Sequence, residues 1–572
     1  MTPLDWIVLV GTIGFIAVYG AWKARNVSDV ETYFRGGNTM SWPTIGLGIM
    51  ATQASAITFL STPGQAYEDG MRFVQFYFGV PLAMIVISAV FVPIYHRLKV
   101  YTAYEYLEHR FDVRVRWLGA FLFLIQRGLA AGITIYAPSI ILSAIMGWPL
   151  GLTTVGMGLA VIAYTVSGGT VAVGQTQKQQ MIVMLAGVAI AAVLSVLRLP
   201  DGVSLPAAIK LAGALDRMNV VSFEVDPSTR YTFWSGITGG FFLALSYFGT
   251  DQSQVQRYLS GRSVTESRLG LLFNGMLKIP MQFVILFTGV MVFVFYVFTP
   301  PPIFFNAPTL ARVAGGAHAP ALQALQARYD AAFTRQRDAA TAYVAALEAG
   351  DARRNEAKAT LRAAAADVRT VRTEAKALVA RAAPDAETKD TDYVFLSFVL
   401  GHVPPGLVGL LVAVILCAAM SSTAAELTAL GSTTTIDFYR RLRGTTGDSG
   451  PRDLLVSKLF TVFWGLVAVS FAAFASLLDN LIEAVNILGS IFYGTVLGLF
   501  VVAFFVPWVS ATPVLAGALV AQAAVLALFF TSDLGFLWYN VIGCGVVVAI
   551  AVVLESVRRH LPPGAATDLR AR

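Results

Sequence analysis

The sequence predicts an all-α integral membrane protein with about thirteen transmembrane helices. Three observations lead there. Of 572 residues, 56% are hydrophobic and 13% charged, about half the charged share of ordinary soluble proteins. Mean hydropathy is +0.67. The apolar residues also gather into runs of the roughly 20 residues that a membrane helix needs.

In chain order the runs fall at 4–22, 42–66, 74–95, 118–146, 149–166, 179–199, 232–256, 268–298, 404–430, 455–477, 480–507, 512–531 and 535–556. The first lacks a basic leader and carries Asp5, with Lys23 and Arg25 after it. It reads as an uncleaved helix with its N-terminus outside. On that reading the alternate loops holding Arg35, Arg97, Lys99, Arg110, Arg114, Arg116, Arg257, Arg262, Arg440 and Arg441 are cytoplasmic, as is the tail with Arg570 and Arg572. This predicts a multi-pass protein of the cell (inner) membrane, N-terminus outside and C-terminus cytoplasmic. From Pro300 to about residue 395 the chain turns polar and Ala-rich, with apolar residues at helical spacing and a break at Gly350-Asp351. That pattern predicts an extracellular two-helix hairpin, either a solvated insertion or a surface for an extracellular partner.

Two runs are interrupted by small and hydroxylated residues: Ile49–Gly64 (IMATQASAITFLSTPG) and Ala413–Ser432 (AVILCAAMSSTAAELTALGS). Inside lipid every backbone polar group needs an internal partner, so such helices line a cavity or bind something. Interrupted helices point to the solute and ion site of a secondary transporter.

Other function classes lose support. The net charge of +7 fits a positive-inside bias, and nucleic acid is not expected as a partner. Cys417 and Cys544, both in apolar runs, offer no disulfide framework or zinc spacing, and the five histidines are scattered. No GxxxxGK[ST] occurs, and no nucleophile–base–acid set marks an enzyme. No cofactor is expected.

The runs YHRLKVYTAYEYLEHRFDVRVRWLG, IYAPSIIL, SGGTVAVGQTQKQQ, YFGTDQSQVQRYLSGRSVTESRLG and CAAMSSTAAELTALGSTTTIDFYRR resemble the sodium:solute symporter family. TAYEYLEHRF and IYAP are most like its monocarboxylate, iodide and vitamin branch. The resemblance covers nearly the whole chain outside the polar insertion. It implies a LeuT-type fold of two inverted five-helix repeats. Residues 1–41 form an extra helix and loop, 42–199 repeat one, and 200–231 an outer loop. Residues 232–299 and 396–507 then form repeat two, split by the insertion at 300–395, and 508–572 hold the last helices and tail. Broken helices at 42–66 and 232–256 open the repeats. The polar GTDQSQVQ ending the second is what a lipid-facing helix would not tolerate.

The resemblance also implies a sodium-coupled symporter working by alternating access, with Na⁺ as coupling ion. Position by position, its sodium ligands become the carbonyls of Ala51, Ala54 and Ala418 and the hydroxyls of Ser421 and Ser422. Oxygen donors suit a hard cation. Small-residue helix packing is the alternative reading of the two serines. Some relatives bind a further sodium with an Asp and two hydroxyls; here those positions are Gln177, Ala424 and Ala425, so no second sodium is expected there. Lys178 and Glu426 could form a charge pair in its stead, or lie apart, at a helix end and in a watery vestibule.

Arg127 sits mid-run in AFLFLIQRGLAAGITIYAP with no acid in that run. Arginine matches carboxylates bidentately, and an arginine in this helix binds the carboxylate in sialic-acid-carrying relatives. The alternative is a structural pair with Glu483 or Asp251. Family position adds Lys278, Gln53, Ser55, Thr58, Tyr77 and Tyr247 to the expected solute site. Two cations favour a small anionic or zwitterionic solute. A proton-coupled or uncoupled carrier, with Lys178 or Glu426 replacing the ion, and a transport-deficient solute sensor remain as rivals.

Overall fold

The computed structural model describes residues 1–24, 39–350, 353–384, 390–444, 451–473 and 481–560, with the side chains of Ala21, Lys23, 24, 167–172 and 451 excepted. The expected cytoplasmic charges Arg25, Arg35, Arg570 and Arg572, the break residue Asp351 and the end of the 455–477 run lie outside the described residues.

The helices that carry the argument are α1 (Pro3–Ala24), α2 (Trp42–Gln53), α3 (Ala56–Asp69), α4 (Val113–Met146), α5 (Leu150–Leu197), α6 (Gly240–Gly249), α7 (Gln252–Leu259) and α8 (Val264–Phe298). There follow α9 (Ala319–Glu348), α10 (Arg354–Ala382), α11 (Thr391–His402), α12 (Leu407–Thr433), α13 (Pro451–Ala472), α14 (Leu481–Phe505), α15 (Ala511–Thr531) and α16 (Leu537–His560). Among the described residues 10 segments are long and apolar enough to cross a membrane. Four expected runs are not single long helices, one of them 74–95, which joins the 3₁₀ segment Gly70–Tyr77 to Val80–Val86, a π-turn (Ile87–Phe91) and Val92–Leu98. Run 42–66 is α2 plus α3, and 149–166 is a short apolar piece of α5. Run 232–256 is a π-turn (Ser235–Gly239) followed by α6 and most of α7. Within α5, Tyr164 Oη and Thr176 Oγ1 lie 2.6 Å apart. Twelve residues of straight helix rise about 18 Å, so the chain folds back between them.

The first break falls at Ala54 (φ −83°, ψ 76°) and Ser55, which is extended. The second falls at Thr250 and Asp251, where the Asp251 carboxylate caps α7 by accepting from Ser253 N at 2.9 Å. Unwound backbone at this depth must find partners. Ser421 Oγ donates to the Ala51 carbonyl at 3.0 Å, and Tyr95 Oη and Tyr104 Oη donate to the carbonyls of Gly249 and Thr250 at 2.9 Å each. The second interrupted run, Ala413–Ser432, is by contrast one continuous helix. It is α12, which packs on α1, α2, α3, α4, α5, α7 and α13. Its small residues allow that close approach.

The polar insertion forms the expected helical pair. α9 and α10 pack side by side around Leu322, Tyr329, Val371 and Leu378. The pair seats on the end of the bundle where α3 finishes. Arg372 bonds Asp390 at 2.9 Å and Lys376 Nζ lies 2.8 Å from the same carboxylate, while Arg362 reaches Asp216 at 2.8 Å. Beneath it, α3 runs so close to α11 that a methyl group at Gly64 would lie 2.1 Å from the Thr391 carbonyl oxygen.

Candidate functional site

The first helix break and α6, the helix that leads into the second break, line one cavity, with about 80 Å³ open to the centres of water molecules. Gln53, Ser55 and Thr58 reach it from the first break, Tyr77 from the 3₁₀ segment Gly70–Tyr77, Arg127 from α4 and Tyr247 from α6. The structure therefore brings together six of the seven expected solute residues. Lys278 is the exception. It is buried behind the lining, with Nζ 5.2 Å from the centre of the Tyr77 ring.

Arg127 is not a free guanidinium. Its Nη2 donates to Asp251 and to Tyr493 Oη (2.6 Å), and its Nη1 to Glu426 Oε1 at 3.1 Å. Its guanidinium carbon lies 5.3 Å from the Tyr247 ring centre. Of the two structural partners weighed above, Asp251 is the one present; Glu483 is engaged by Arg230 at 2.6 Å instead. A bare guanidinium at this depth is costly, which is why two acids from distant parts of the chain converge on it. The expected pair Lys178–Glu426 does not form, because Glu426 lies one side of α12 with Arg127 while Lys178 is half-buried on α5. One arginine thus ties α4, the α7 start, α12 and, through Tyr493, α14.

Three acceptor atoms of the lining are left open. Gln53 Oε1, Gln126 Oε1 and Glu426 Oε2 are buried with no hydrogen-bond partner among the described residues. The Thr134 hydroxyl beside Glu426 is turned to the Ala130 carbonyl at 3.1 Å. Amide oxygens and nitrogens can exchange places by a flip, but a carboxylate oxygen cannot. Glu426 Oε2 is thus a buried, unpaired acceptor within a residue of the cavity wall.

Close by, the expected sodium ligands cluster. Ser421 Oγ lies 3.0 Å from the Ala51 carbonyl and 2.9 Å from that of Ala418, and Ser422 Oγ lies 2.9 Å from the Ala418 carbonyl. The Ala54 carbonyl belongs to the same break. These residues could hold a hard monovalent cation through oxygen alone. Beside them Gln177 is fully engaged: its Nε2 donates to Thr52 Oγ1 and the Ser421 carbonyl, both at 3.0 Å, and Arg257 approaches its Oε1 at 3.4 Å. Ala424 and Ala425 are buried in α12 and add no oxygen side chain.

Sequence reasoning missed Tyr493, Asn486 and Gln126 as lining residues. Tyr493 gave no signal in the apolar run GSIFYGTVLG, since aromatics in membrane helices are mostly packing. Asn486, an amide in an apolar run, was the available clue.

A model of the sodium:solute symporter family matches residues 33–324 and 368–521. The chain belongs to the sodium:solute symporter family. That family is one of transporters, not enzymes. The unmatched stretch between the two parts lies in the α9–α10 pair. The human sodium/iodide cotransporter is 34% identical over 270 residues, which is 47% of this chain and 41% of that protein. Human sodium-coupled monocarboxylate transporter 1 is 34% identical over 275 residues, 47% of this chain and 44% of that protein. The chain thus spans less than half the length of these curated relatives. Among solved structures, a Na⁺-coupled sialic acid symporter in a substrate-bound outward-open state superposes with a TM-score of 0.75 at 22% identity, over 97% of this chain and 98% of that one. The fold is accordingly LeuT-type, with Na⁺ rather than a cofactor as the family's coupling species.

Proposed function

We propose that the protein is a sodium-coupled symporter that imports a small carboxylate-bearing solute by alternating access. The observation that carries this is the oxygen cluster of Ala51, Ala418, Ser421 and Ser422 at the α2–α3 break, next to the solute cavity. An ion there bridges the first broken helix and α12. It favours the arrangement that shapes the cavity, so ion and solute raise each other's affinity equally. The bundle end carrying the α9–α10 pair is the extracellular one on this reading, and the lipid bilayer and Na⁺ are its other partners.

The carboxylate assignment is supported by the monocarboxylate-carrying relatives and by Arg127 in the cavity wall. Arg127 already serves two acids, so a solute carboxylate takes over the contact made by Glu426, the longer of its two ion pairs. The open Glu426 Oε2 favours a second reading, a zwitterion whose ammonium group meets that oxygen. Uptake of labelled lactate, acetate and alanine into proteoliposomes decides between them. Lactate and acetate uptake driven by an inward sodium gradient supports the first reading, and alanine alone the second. Equal uptake without sodium refutes the coupling.

A further inference from the structure

A second cavity, outside the transport site, lies between the α9–α10 pair and the bundle end beneath it. Its space open to water centres is about 60 Å³, room for several waters at about 10–15 Å³ each. Three guanidinium groups line it: Arg217, Arg369 and Arg372, against the single acid Glu68. Arg372 is held by Asp390 and Tyr67, yet its Nε is buried with no acceptor. Among the described residues Arg217 makes no ion pair; it lies over the Phe293 ring at 4.9 Å, and its Nε is likewise buried without a partner there. Partial burial holds its pKa below the usual guanidinium value, against the opposing pull of Glu68 and Asp69. Tyr329 is 0% exposed and its hydroxyl has no hydrogen-bond partner among the described residues. Uncompensated donors of this kind are costly in a folded protein.

Tyr296, Phe333 and Leu215 complete the wall with apolar surface. A pocket that joins a few convergent donors to apolar walls suits an organic molecule better than a halide, which would leave the rings unused.

We propose that this cavity is a binding site for a small organic carboxylate, its anionic group on Arg217 and Arg372 with Tyr329 as donor and its apolar part against Phe293 and Phe333. The site is separate from the transport cavity and does not depend on the solute class assigned there. It belongs to the insertion, since α9 and α10 supply Tyr329, Phe333, Arg369 and Arg372.

The test is equilibrium binding of labelled benzoate and acetate to the intact protein in lipid nanodiscs, with chloride as competitor. Removing one charged donor costs roughly 10- to 100-fold in affinity, and removing a neutral hydroxyl roughly 2- to 10-fold. The proposal expects such losses in Arg217→Gln and Tyr329→Phe, with benzoate affinity intact in Tyr247→Ala, whose change lies in the transport cavity. Unfolding midpoints check that each variant is folded; should Arg217→Gln not fold, Tyr329→Phe decides alone. Unchanged benzoate affinity in both Arg217→Gln and Tyr329→Phe overturns the proposal. So does chloride competing at the same concentration as acetate, which would mark an inorganic anion site. A loss seen only in Tyr247→Ala would place the bound acid in the transport cavity and also overturn it.

Discussion

Replacing Arg127 by alanine should destabilise the protein rather than merely silence it. Arg127 is 3% exposed and Asp251 and Glu426 are 2% and 4% exposed, so all three charges are almost wholly buried. Removing the guanidinium strands two carboxylates in one dry cluster. Breaking a buried ion pair costs about 3–5 kcal/mol, and here two pairs and the Tyr493 contact go together. Part is recovered if Glu426 takes up a proton, which leaves about 3 kcal/mol as the expected loss. Lysine should restore some of it, since it brings the charge but not the planar fork that serves Asp251 and Glu426 at once. The decisive comparison is a cycle. Arg127→Ala alone should lower the thermal unfolding midpoint, and adding Asp251→Asn and Glu426→Gln should raise it again, because the stranded charges are gone. The assay is thermal unfolding of purified protein, with and without solute. A stable Arg127→Ala, or a triple variant no better than the single one, would refute the structural role of this arginine.

Three further expectations follow from the site and its cover. Ser421→Ala removes a hydroxyl that lies within 3.0 Å of both the Ala51 and Ala418 carbonyls; apparent sodium affinity should fall roughly 10-fold or more, and unchanged sodium dependence of uptake would exclude the assigned ion site. With Gln177 engaged by Thr52, Ser421 and Arg257 and no hydroxyl at Ala424 or Ala425, one sodium should move per solute; a reversal potential fitting two would show another site. Burial pushes the Asp390 carboxyl up, but Arg372 and then Lys376 outweigh it and hold it below the ordinary range. Its contribution to seating the α9–α10 pair is thus full above about pH 4, the unfolded value, and fades as pH falls through the lower folded value. Hydrogen exchange of α10 across that window, in wild type and Asp390→Asn, checks this; an acid response surviving in the variant would contradict it.

The sequence by itself determined the fold class, the membrane location and the family, and through that resemblance six of the residues that meet at the cavity. Those features rest on local signals: long apolar runs, hydroxyls collecting in IMATQASAITFLSTPG and LCAAMSSTAAEL, and motifs of fixed spacing. The hairpin was legible for the same reason, as helical periodicity in a polar stretch. Pairing across the chain was not legible. Arg127 lies 124 residues from Asp251 and 299 from Glu426, and no local pattern says which acid a buried cation will meet. The sequence offered Lys178 as the partner of Glu426 because both follow family landmarks, but packing put Glu426 against α4. The same limit hid the continuity of α12. Small and hydroxylated residues at mid-membrane fit both a broken helix and a tightly packed one, and only the neighbours decide. In α2–α3 the freed carbonyls find Ser421 and an unwound turn is tolerated. In α12, neighbouring helices press on a continuous one from several sides, and its small side chains are what let them approach.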